Sequence, residues 1–255
     1  MTKTVLITGG ASGIGRACSQ YFMQNGWNVV LSYLLDSEKA AADALAEEAK
    51  EANVQAISLQ SDVTKDDDCR ELAALATKTF GRIDALVSSA GTTRLVPHGD
   101  LDALTMDDFM KTTAVNTAGP FQIVRACAEA LKAGDGGSVV IVSSYGAIWG
   151  TGSSIAYAAS KGATNTLTMS LARVLAPKVR VNAVCPALIA GGFVERMDKK
   201  VFDARVELQE ARAPLQMVGQ PEDVAADVFW LSTGARLMTG SVLSLDSGLH
   251  LNGDS

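Results

Sequence analysis

Short apolar runs alternate along the chain with longer segments whose apolar residues recur every three or four positions. Seven of these runs have the length and composition of buried strands, which span roughly four to eight residues. The predicted strands are Thr4–Thr8, Asn28–Tyr33, Val54–Leu59, Ile83–Ser88, Gly137–Ser143, Val179–Val184 and Ser241–Leu245. Strands that are apolar throughout and separated by helices are typical of a parallel sheet covered on both faces.

Helical periodicity marks most of the segments between these strands. Gly26 follows the first helical segment as a natural end, and Ser37 is a predicted N-cap at the start of the second. The predicted helices are Ile14–Asn25, Ser37–Ala52, Asp66–Phe80, about Met106–Ala133, Ala156–Leu175 and Pro221–Leu231. The chain has no linker, internal repeat or low-complexity segment, so we predict one α/β domain over residues 1–255.

Composition narrows the classes of function. Hydrophobic residues make up 47% of the 255 residues and charged residues 20%, which is enough for a sizeable core. The net charge is −6 and no Lys/Arg cluster occurs, which argues against a nucleic-acid or membrane-surface partner. No apolar run reaches the roughly 18 residues of a membrane span, and no signal peptide precedes the first strand. The four cysteines are scattered, which favours free thiols in the cytoplasm, and the two histidines stand too far apart to suggest a metal site.

A glycine-rich turn follows the first predicted strand. It reads Thr-Gly-Gly-Ala-Ser-Gly-Ile-Gly over residues 8–15. Glycines at such a turn let the backbone approach a pyrophosphate, which then meets the positive end of the next helix. The spacing is G-x-x-x-G-x-G rather than G-x-G-x-x-G, and an ordinary tight turn is the alternative. Within this strand and helix order, we predict a doubly wound, Rossmann-like sheet that binds a dinucleotide.

The residues from Ser144 to Lys161 carry the candidate chemistry. Tyr157 and Lys161 are four residues apart and would share one face of a helix. A lysine ammonium beside a phenol favours the phenolate, which would lower the tyrosine pKa from about 10 towards neutrality. Tyr157 would then serve as a general acid or base, and Ser144 could hold a substrate oxygen. A packed tyrosine above a solvated lysine is the alternative for this motif taken alone.

Together the two motifs resemble the short-chain dehydrogenase/reductase family, from about Lys3 to about Gly248. Further landmarks occur in the family's order. They are Asp62-Val63 after the third strand, Ser88-Ser89-Ala90-Gly91 after the fourth, Asn116 in VNTAGP, and Pro186 after the sixth. The sequence departs from the family where two serines replace two asparagines at 88 and 89, where Ala187 replaces a glycine, and where Gly191 replaces a threonine.

The resemblance implies a role for each matching residue. Tyr157 would be the acid or base, Lys161 would tune its pKa and bind the nicotinamide ribose, Ser144 would bind the substrate oxygen, and Asn116 would hold a relay water. Ser143 is the rival for the serine role, but the family's interval to the tyrosine selects Ser144. The predicted cofactor contacts are Gly9, Ser12, Gly13, Ile14, Gly15, Ser32, Tyr33, Asp62, Val63, Ser89, Ala90, Gly91, Tyr157, Lys161, Pro186 and Ile189.

The end of the second strand bears on the choice of cofactor. Members of the family that prefer NAD place an aspartate there, whereas this chain has Tyr33. Without that carboxylate a 2′-phosphate would not be repelled, so we expect NADP(H) to be favoured and NAD(H) to be accepted. Asp36 lies too late along the chain, and Ser32 is a candidate donor to the phosphate. Arg16 is a candidate as well, although a structural or surface role suits it equally.

The resemblance predicts an NAD(P)(H)-dependent oxidoreductase that acts on a carbonyl and alcohol pair. A lid is expected over about 188–215, and an apolar pocket lined by Trp149, Phe193 and Met197 favours moderately sized ketones. Reduction of 3-oxoacyl thioesters or imines is the alternative activity. Enoyl reduction fits less well, since the tyrosine-to-lysine spacing in that branch is longer. A non-catalytic cofactor sensor or scaffold is the alternative of another class, and a homotetramer is expected from the family.

Overall fold

The computed structural model describes residues 1–191 and 198–252. Its strands are β1 (Thr4–Thr8), β2 (Asn28–Tyr33), β3 (Ala56–Gln60), β4 (Ala85–Ser88), β5 (Gly137–Val142), β6 (Val179–Pro186) and β7 (Val242–Leu245). They form one seven-stranded sheet in the order β3-β2-β1-β4-β5-β6-β7, and every neighbouring pair is parallel. The predicted fold class is therefore confirmed, although β3 and β4 each begin two residues later than predicted.

The helices of the described residues account for most of the remaining chain. They are α1 (Gly13–Gln24), α2 (Lys39–Glu51), α3 (Asp66–Phe80), α4 (Met106–Thr113), α5 (Gly119–Lys132), α6 (Gly146–Trp149), α7 (Ile155–Leu175), α8 (Lys199–Arg212) and α9 (Pro221–Thr233). The long helix predicted over Met106–Ala133 is interrupted by a π-helical turn at Ala114–Ala118. The short helix α6 was not predicted. None of the described helices is long and apolar enough to cross a membrane.

Successive residues of a strand point to opposite faces of the sheet and belong to two separate apolar cores. In β1, Val5 and Ile7 belong to one apolar cluster with residues of α1, α2 and α9, while Leu6 belongs to the other with residues of α3, α5 and α7. All three side chains are fully buried. Both faces of the sheet are therefore covered, which explains why its central strands are largely apolar.

The strand order reverses beside β1, and this reversal positions the site. The chain runs from β1 outward through β2 to β3 and then returns to β4 on the other side of β1. Thr8 at the end of β1 pairs in register with Ser88 at the end of β4. The loops that leave these two strands diverge to opposite faces, and ligands of open α/β sheets bind in the resulting crevice.

Candidate active site

Tyr157 and Lys161 lie one turn apart on α7, as their spacing predicts. Ser154 caps the helix by accepting the backbone N–H of Tyr157 at 3.2 Å. The Lys161 ammonium donates to the Val142 carbonyl oxygen at 2.7 Å, and its nitrogen lies 5.8 Å from the centre of the Tyr157 ring. Lys161 is 5% exposed, whereas Tyr157 is partly open to a cleft. The lysine therefore sits beneath the tyrosine and is fixed by the end of β5.

Ser144 follows β5 and reaches the same point. Its hydroxyl is hydrogen-bonded to the Tyr157 phenol, and its oxygen also accepts the backbone N–H of Gly146 at 3.1 Å. The neighbouring Ser143 instead donates to the Lys161 carbonyl oxygen at 3.2 Å and is buried. Of the two candidate serines, only Ser144 directs its hydroxyl to the tyrosine.

Burial dominates the proton affinities of this pair. It raises the pKa of the Tyr157 phenol, an effect that the hydrogen bond from Ser144 partly offsets. Burial also lowers the pKa of Lys161 from 10.5 to about 8. The expectation that Lys161 brings the tyrosine pKa towards neutrality is therefore not met in the chain alone, because burial raises the pKa of the phenol by more than the Ser144 hydrogen bond lowers it. In this state Tyr157 is a phenol with a proton to donate.

Asn116 lies in the π-helical turn and is fully buried. Its side-chain amide donates to the Thr92 carbonyl and to the Ser160 hydroxyl, both at 3.0 Å, and its side-chain oxygen accepts the Thr92 N–H at 2.8 Å. Its backbone carbonyl accepts the Thr164 hydroxyl at 2.7 Å. These bonds tie the loop after β4 to α7. The relay water stays a prediction.

The glycine turn allows close backbone approach at the start of α1. A Cβ on Gly15 would lie 2.1 Å from the carbonyl oxygen of Gly9, and a Cβ on Gly9 would lie 3.1 Å from the backbone of Ala90. The side chain of Ser12 does not cap α1, so the first N–H groups of this helix have no side-chain partner there. Such a helix start fits a pyrophosphate. The residues present therefore suit the dinucleotide that the sequence predicts.

One cleft of about 530 Å³ brings the predicted site residues together. Among the catalytic candidates, Ser144, Tyr157 and Lys161 line it, whereas Asn116 lies behind it. Among the cofactor candidates, Gly15 alone is absent from the lining, because it packs against Gly9 beneath the turn. The lining candidates are Gly9, Ser12, Gly13, Ile14, Ser32, Tyr33, Asp62, Val63, Ser89, Ala90, Gly91, Tyr157, Lys161, Pro186 and Ile189.

Polar side chains brace the loops of this cleft. Ser32 on β2 accepts the N–H of Gly9 at 3.3 Å, and Asp62 accepts the backbone N–H and the hydroxyl of Thr64. The Thr8 hydroxyl oxygen accepts the N–H groups of Ser89 and Ala90, each at 3.2 Å. Thr8 thus supports the loop in which the sequence lacks the family's two asparagines.

Sequence reasoning missed Glu38, which also lines the cleft. Its carboxylate accepts the N–H groups of Leu34 and Leu35, each at 3.1 Å, and the Ser12 hydroxyl at 3.3 Å. A glutamate three residues after Leu35 can accept the backbone N–H of Leu35, as the glutamate of a capping box does, and this spacing was the available signal. Because the prediction considered only carboxylates close to the strand end, it stopped at Asp36.

Gln209 of α8 was also missed. It is the one buried residue of this mostly exposed helix. Its side-chain oxygen accepts the Leu188 N–H at 3.0 Å, and its amide donates to the carbonyl oxygens of Leu188 and Met217 at 3.5 and 3.4 Å. This contact joins the predicted lid to backbone that lines the cleft.

The structure describes only part of the cleft wall that would contact the substrate. The Tyr145 and Trp149 rings lie 6.0 Å apart at an angle of 32°, and Trp149 is 40% exposed. Phe193 and Met197, which were predicted to line the pocket, lie outside the described residues. The described residues contain no group of three or more side chains suited to a metal ion.

Comparisons with known proteins cover almost the whole chain. A family model described as enoyl-(acyl carrier protein) reductase matches residues 9–250. A relative assigned as ketoacyl reductase 2 of the granaticin polyketide synthase of Streptomyces violaceoruber is 38% identical over 249 residues, which make up 96% of this chain and 95% of the relative. L-Rhamnose 1-dehydrogenase (NAD(P)(+)) of Azotobacter vinelandii is 34% identical over 254 residues, with 98% and 97% covered.

Solved structures agree with this result. A structure from Burkholderia xenovorans that is described as a short-chain dehydrogenase/reductase is 40% identical, has a TM-score of 0.91, and is matched over 98% of both chains. ElxO with NADP bound is 28% identical, with a TM-score of 0.87, and the match covers 98% of this chain and 100% of ElxO.

Proposed function

Since the chain belongs to the short-chain dehydrogenase/reductase family of oxidoreductases, we propose that it transfers hydride between a nicotinamide cofactor and a carbonyl/secondary alcohol pair. Ketones of moderate size and low charge are the proposed substrates. One observation carries the proposal. The Tyr157 phenol is hydrogen-bonded to Ser144, lies above the buried Lys161, and opens into the cleft that begins at the glycine turn.

Each side chain of the site has a separate role in the reduction. A nicotinamide cofactor supplies the hydride when it is bound. Tyr157, which keeps its proton in this environment, donates it to the carbonyl oxygen, and the Ser144 hydroxyl donates a hydrogen bond to the same oxygen. A protonated Lys161 stabilises the phenolate that remains, and the family resemblance implies that it would also hold the nicotinamide ribose. Asn116 fixes the loop at Thr92 against α7 and so keeps the cleft wall in place.

Reduction of 3-oxoacyl thioesters is the second candidate. Two relatives that cover nearly the whole chain support it by name, the granaticin ketoacyl reductase and FabG, a 3-oxoacyl-[acyl-carrier-protein] reductase of Thermotoga maritima. The same tyrosine and serine would protonate and bind the 3-oxo group. Imines would be protonated in the same way, so both classes belong in the substrate panel. A non-catalytic sensor would have no need of an acid beside a buried lysine.

NADP(H) is the favoured cofactor in this proposal, with NAD(H) accepted. A tyrosine stands at residue 33, where family members that prefer NAD have an aspartate, and the related ElxO binds NADP. The relative from Azotobacter vinelandii is named for NAD(P)(+). We also propose that the protein is cytoplasmic, forms a homotetramer and has no nucleic-acid partner. Four free thiols, all buried, suit a reducing compartment.

The test follows the loss of NADPH and NADH absorbance over ketones, diketones, 3-oxoacyl thioesters and imines. Tyr157→Phe removes only the hydroxyl and is the blank. We expect turnover on at least one class, and a fall of about a thousandfold in kcat for Tyr157→Phe with little change in cofactor affinity. Tight cofactor binding without turnover on any class would favour the sensor. Equal turnover by Tyr157→Phe would contradict the role of the tyrosine.

A further inference from the structure

The side chain of Ser61 is buried, yet it has no hydrogen-bond partner among the described residues. Ser61 is 5% exposed, and its hydroxyl oxygen is shielded from solvent. Other buried serines of this chain are bonded, and Ser19, for example, donates to the Gly10 carbonyl oxygen at 2.9 Å. A buried hydroxyl without a partner has lost its bonds to water and gained none in return. The Ser61 hydroxyl therefore destabilises the chain when no ligand is bound.

Ser61 lies in the wall of the cleft that also contains Tyr157 and the glycine turn. It follows β3, the outermost strand on that side of the sheet. Its backbone N–H donates to the Tyr33 carbonyl oxygen at 2.9 Å, which fixes its main chain against the end of β2. Rotation about the Cα–Cβ bond is still free to move the hydroxyl among three staggered positions. The oxygen can thus turn towards a ligand while the backbone stays in place.

The order of the strands indicates which part of a dinucleotide reaches Ser61. The pyrophosphate belongs at the start of α1, which follows β1, and the adjoining ribose lies at the end of β2. The next strand in the sheet is β3, about 10 Å from β1. The adenine base, which is attached to that ribose, therefore lies at the loop that begins with Ser61. Adenine offers both acceptor and donor atoms, and a serine hydroxyl can pair with either kind.

We infer, on the basis of the proposed function, that the Ser61 hydroxyl forms a hydrogen bond with the adenine base of the bound cofactor. In the empty chain this hydroxyl is buried without a partner, whereas the base supplies one. Binding then replaces an unsatisfied polar group by a hydrogen bond, so part of the affinity comes from relief of that cost. The same atom weakens the empty protein and strengthens the complex.

Thr4 provides a matched comparison for Ser61. Its hydroxyl is also buried without a partner among the described residues, but Thr4 begins β1, at the end of the sheet opposite the cleft. Ser61→Ala and Thr4→Val each remove one unsatisfied hydroxyl and little else. Without ligand, both variants should therefore unfold at a temperature about 2–4 °C higher than wild type. Only Ser61→Ala should bind an adenine nucleotide less tightly.

Calorimetric titration with adenosine 5′-diphosphate and uridine 5′-diphosphate measures the affinities without any catalysis. The two nucleotides carry the same ribose and pyrophosphate and differ in the base. Loss of one hydrogen bond weakens binding by roughly fivefold. We therefore expect the Kd of adenosine 5′-diphosphate to rise about fivefold in Ser61→Ala and to stay unchanged in Thr4→Val. The Kd of uridine 5′-diphosphate should stay unchanged in both variants, because uracil lacks the second ring of adenine.

Three results would overturn the inference while leaving the proposed function intact. The first is an unchanged Kd of adenosine 5′-diphosphate in Ser61→Ala. The second is an equal rise in Thr4→Val, or an equal rise for uridine 5′-diphosphate in Ser61→Ala, since neither effect would come from the adenine base. The third is a lower unfolding temperature of empty Ser61→Ala, because the hydroxyl would then stabilise the empty chain. If wild type binds neither adenosine 5′-diphosphate nor NADP⁺, the dinucleotide site itself is wrong and the proposed function fails with it.

Discussion

At the residue scale, solvent exclusion decides the state of the acid and its neighbour. Tyr157 keeps its proton because burial disfavours the phenolate, and Lys161 gives up its proton more easily because burial disfavours the ammonium. The short bond from Lys161 to Val142 holds the ammonium in place without neutralising it. A bound cofactor and substrate would change this balance by excluding water and adding charge.

The low pKa of Lys161 has a consequence for stability. Its pKa is about 8 in the folded chain, whereas an exposed lysine has a pKa of 10.5. Between these values the unfolded chain binds the additional proton, so the free energy of unfolding rises as the pH increases from 7 to 9. The expected gain is on the order of 1 kcal/mol. Urea unfolding of the cofactor-free protein at both pH values measures it.

Lys161→Met is the matched comparison for this effect. The variant lacks the titrating group and should lose the increment, while every other group continues to titrate. Parallel pH profiles for wild type and Lys161→Met would show that the lysine does not carry the change.

At the element scale, two backbone segments shape the cleft through close contacts. The glycine turn fits only because Gly15 has no side chain, and the segment that follows β6 is held by Gln209 of α8. Neither feature is a reacting group. Each holds backbone against which a cofactor would lie. A change at either residue should therefore weaken cofactor binding more than it slows hydride transfer.

Gly15→Ala should weaken cofactor binding and destabilise the fold. The added Cβ would lie 2.1 Å from the Gly9 carbonyl oxygen, so the turn must shift. We expect at least a tenfold rise in the Kd of adenosine 5′-diphosphate and a loss of roughly 2 kcal/mol in denaturant unfolding. Gly162→Ala is the control, because its Cβ meets only the Ala147 carbonyl at 3.6 Å. The free energy of unfolding of Gly162→Ala should rise by about 0.5–1 kcal/mol. A similar loss of stability in both variants would contradict the explanation.

Gln209→Leu should raise the KM for the cofactor while leaving kcat nearly unchanged. Leucine fills similar space but leaves the Leu188 N–H and two carbonyl oxygens without their partner, which costs about 1–3 kcal/mol. If the segment at Leu188 binds the cofactor, a rise of about tenfold in KM follows. Initial rates over cofactor concentration measure both constants. Glu210→Leu, at the next position of α8, controls for a general effect on the helix, and an unchanged KM in Gln209→Leu would leave Gln209 a purely structural role.

At the scale of the whole molecule, large apolar side chains remain exposed on helices that cover the sheet. Phe121 on α5 is 42% exposed, and Met169 and Val174 on α7 are 41% and 72% exposed. Large apolar side chains that stay exposed on helices are typical of a surface that packs against another copy. This distribution supports the proposed homotetramer, in which these helices pair between subunits.

Light scattering on wild type and on Val174→Lys with Met169→Lys tests the assembly. We expect wild type to have about four times the chain mass of 26.6 kDa, and the double variant to have a smaller mass, because two charges would be buried in the contact. Leu101→Lys, on an exposed loop, is the control and should keep the wild-type mass. A monomer mass for wild type at micromolar concentration would contradict the assembly.

The sequence by itself determined the architecture and the identity of most candidate residues. Strand and helix periods differ, so apolar runs and helical spacing predicted all seven strands, and the two motifs predicted which loops form the cleft. The predicted starts of β3 and β4 were wrong by two residues, because the apolar residues Val54 and Ile83 precede the paired segments. The π-helical turn at Asn116 was not predictable, because its hydrogen bonds to Thr92 and Thr164 come from distant segments.

Only the tertiary structure decided which side chains meet and what burial does to them. Glu38 and Ser12 are 26 residues apart, and Gln209 and Leu188 are 21 apart, so neither contact has a local pattern. The pKa shifts of Tyr157 and Lys161 were not predicted from the sequence for the same reason. The sequence showed a charge beside Tyr157, whereas the packing that removes water from the phenol and from Lys161 exists only in the folded chain.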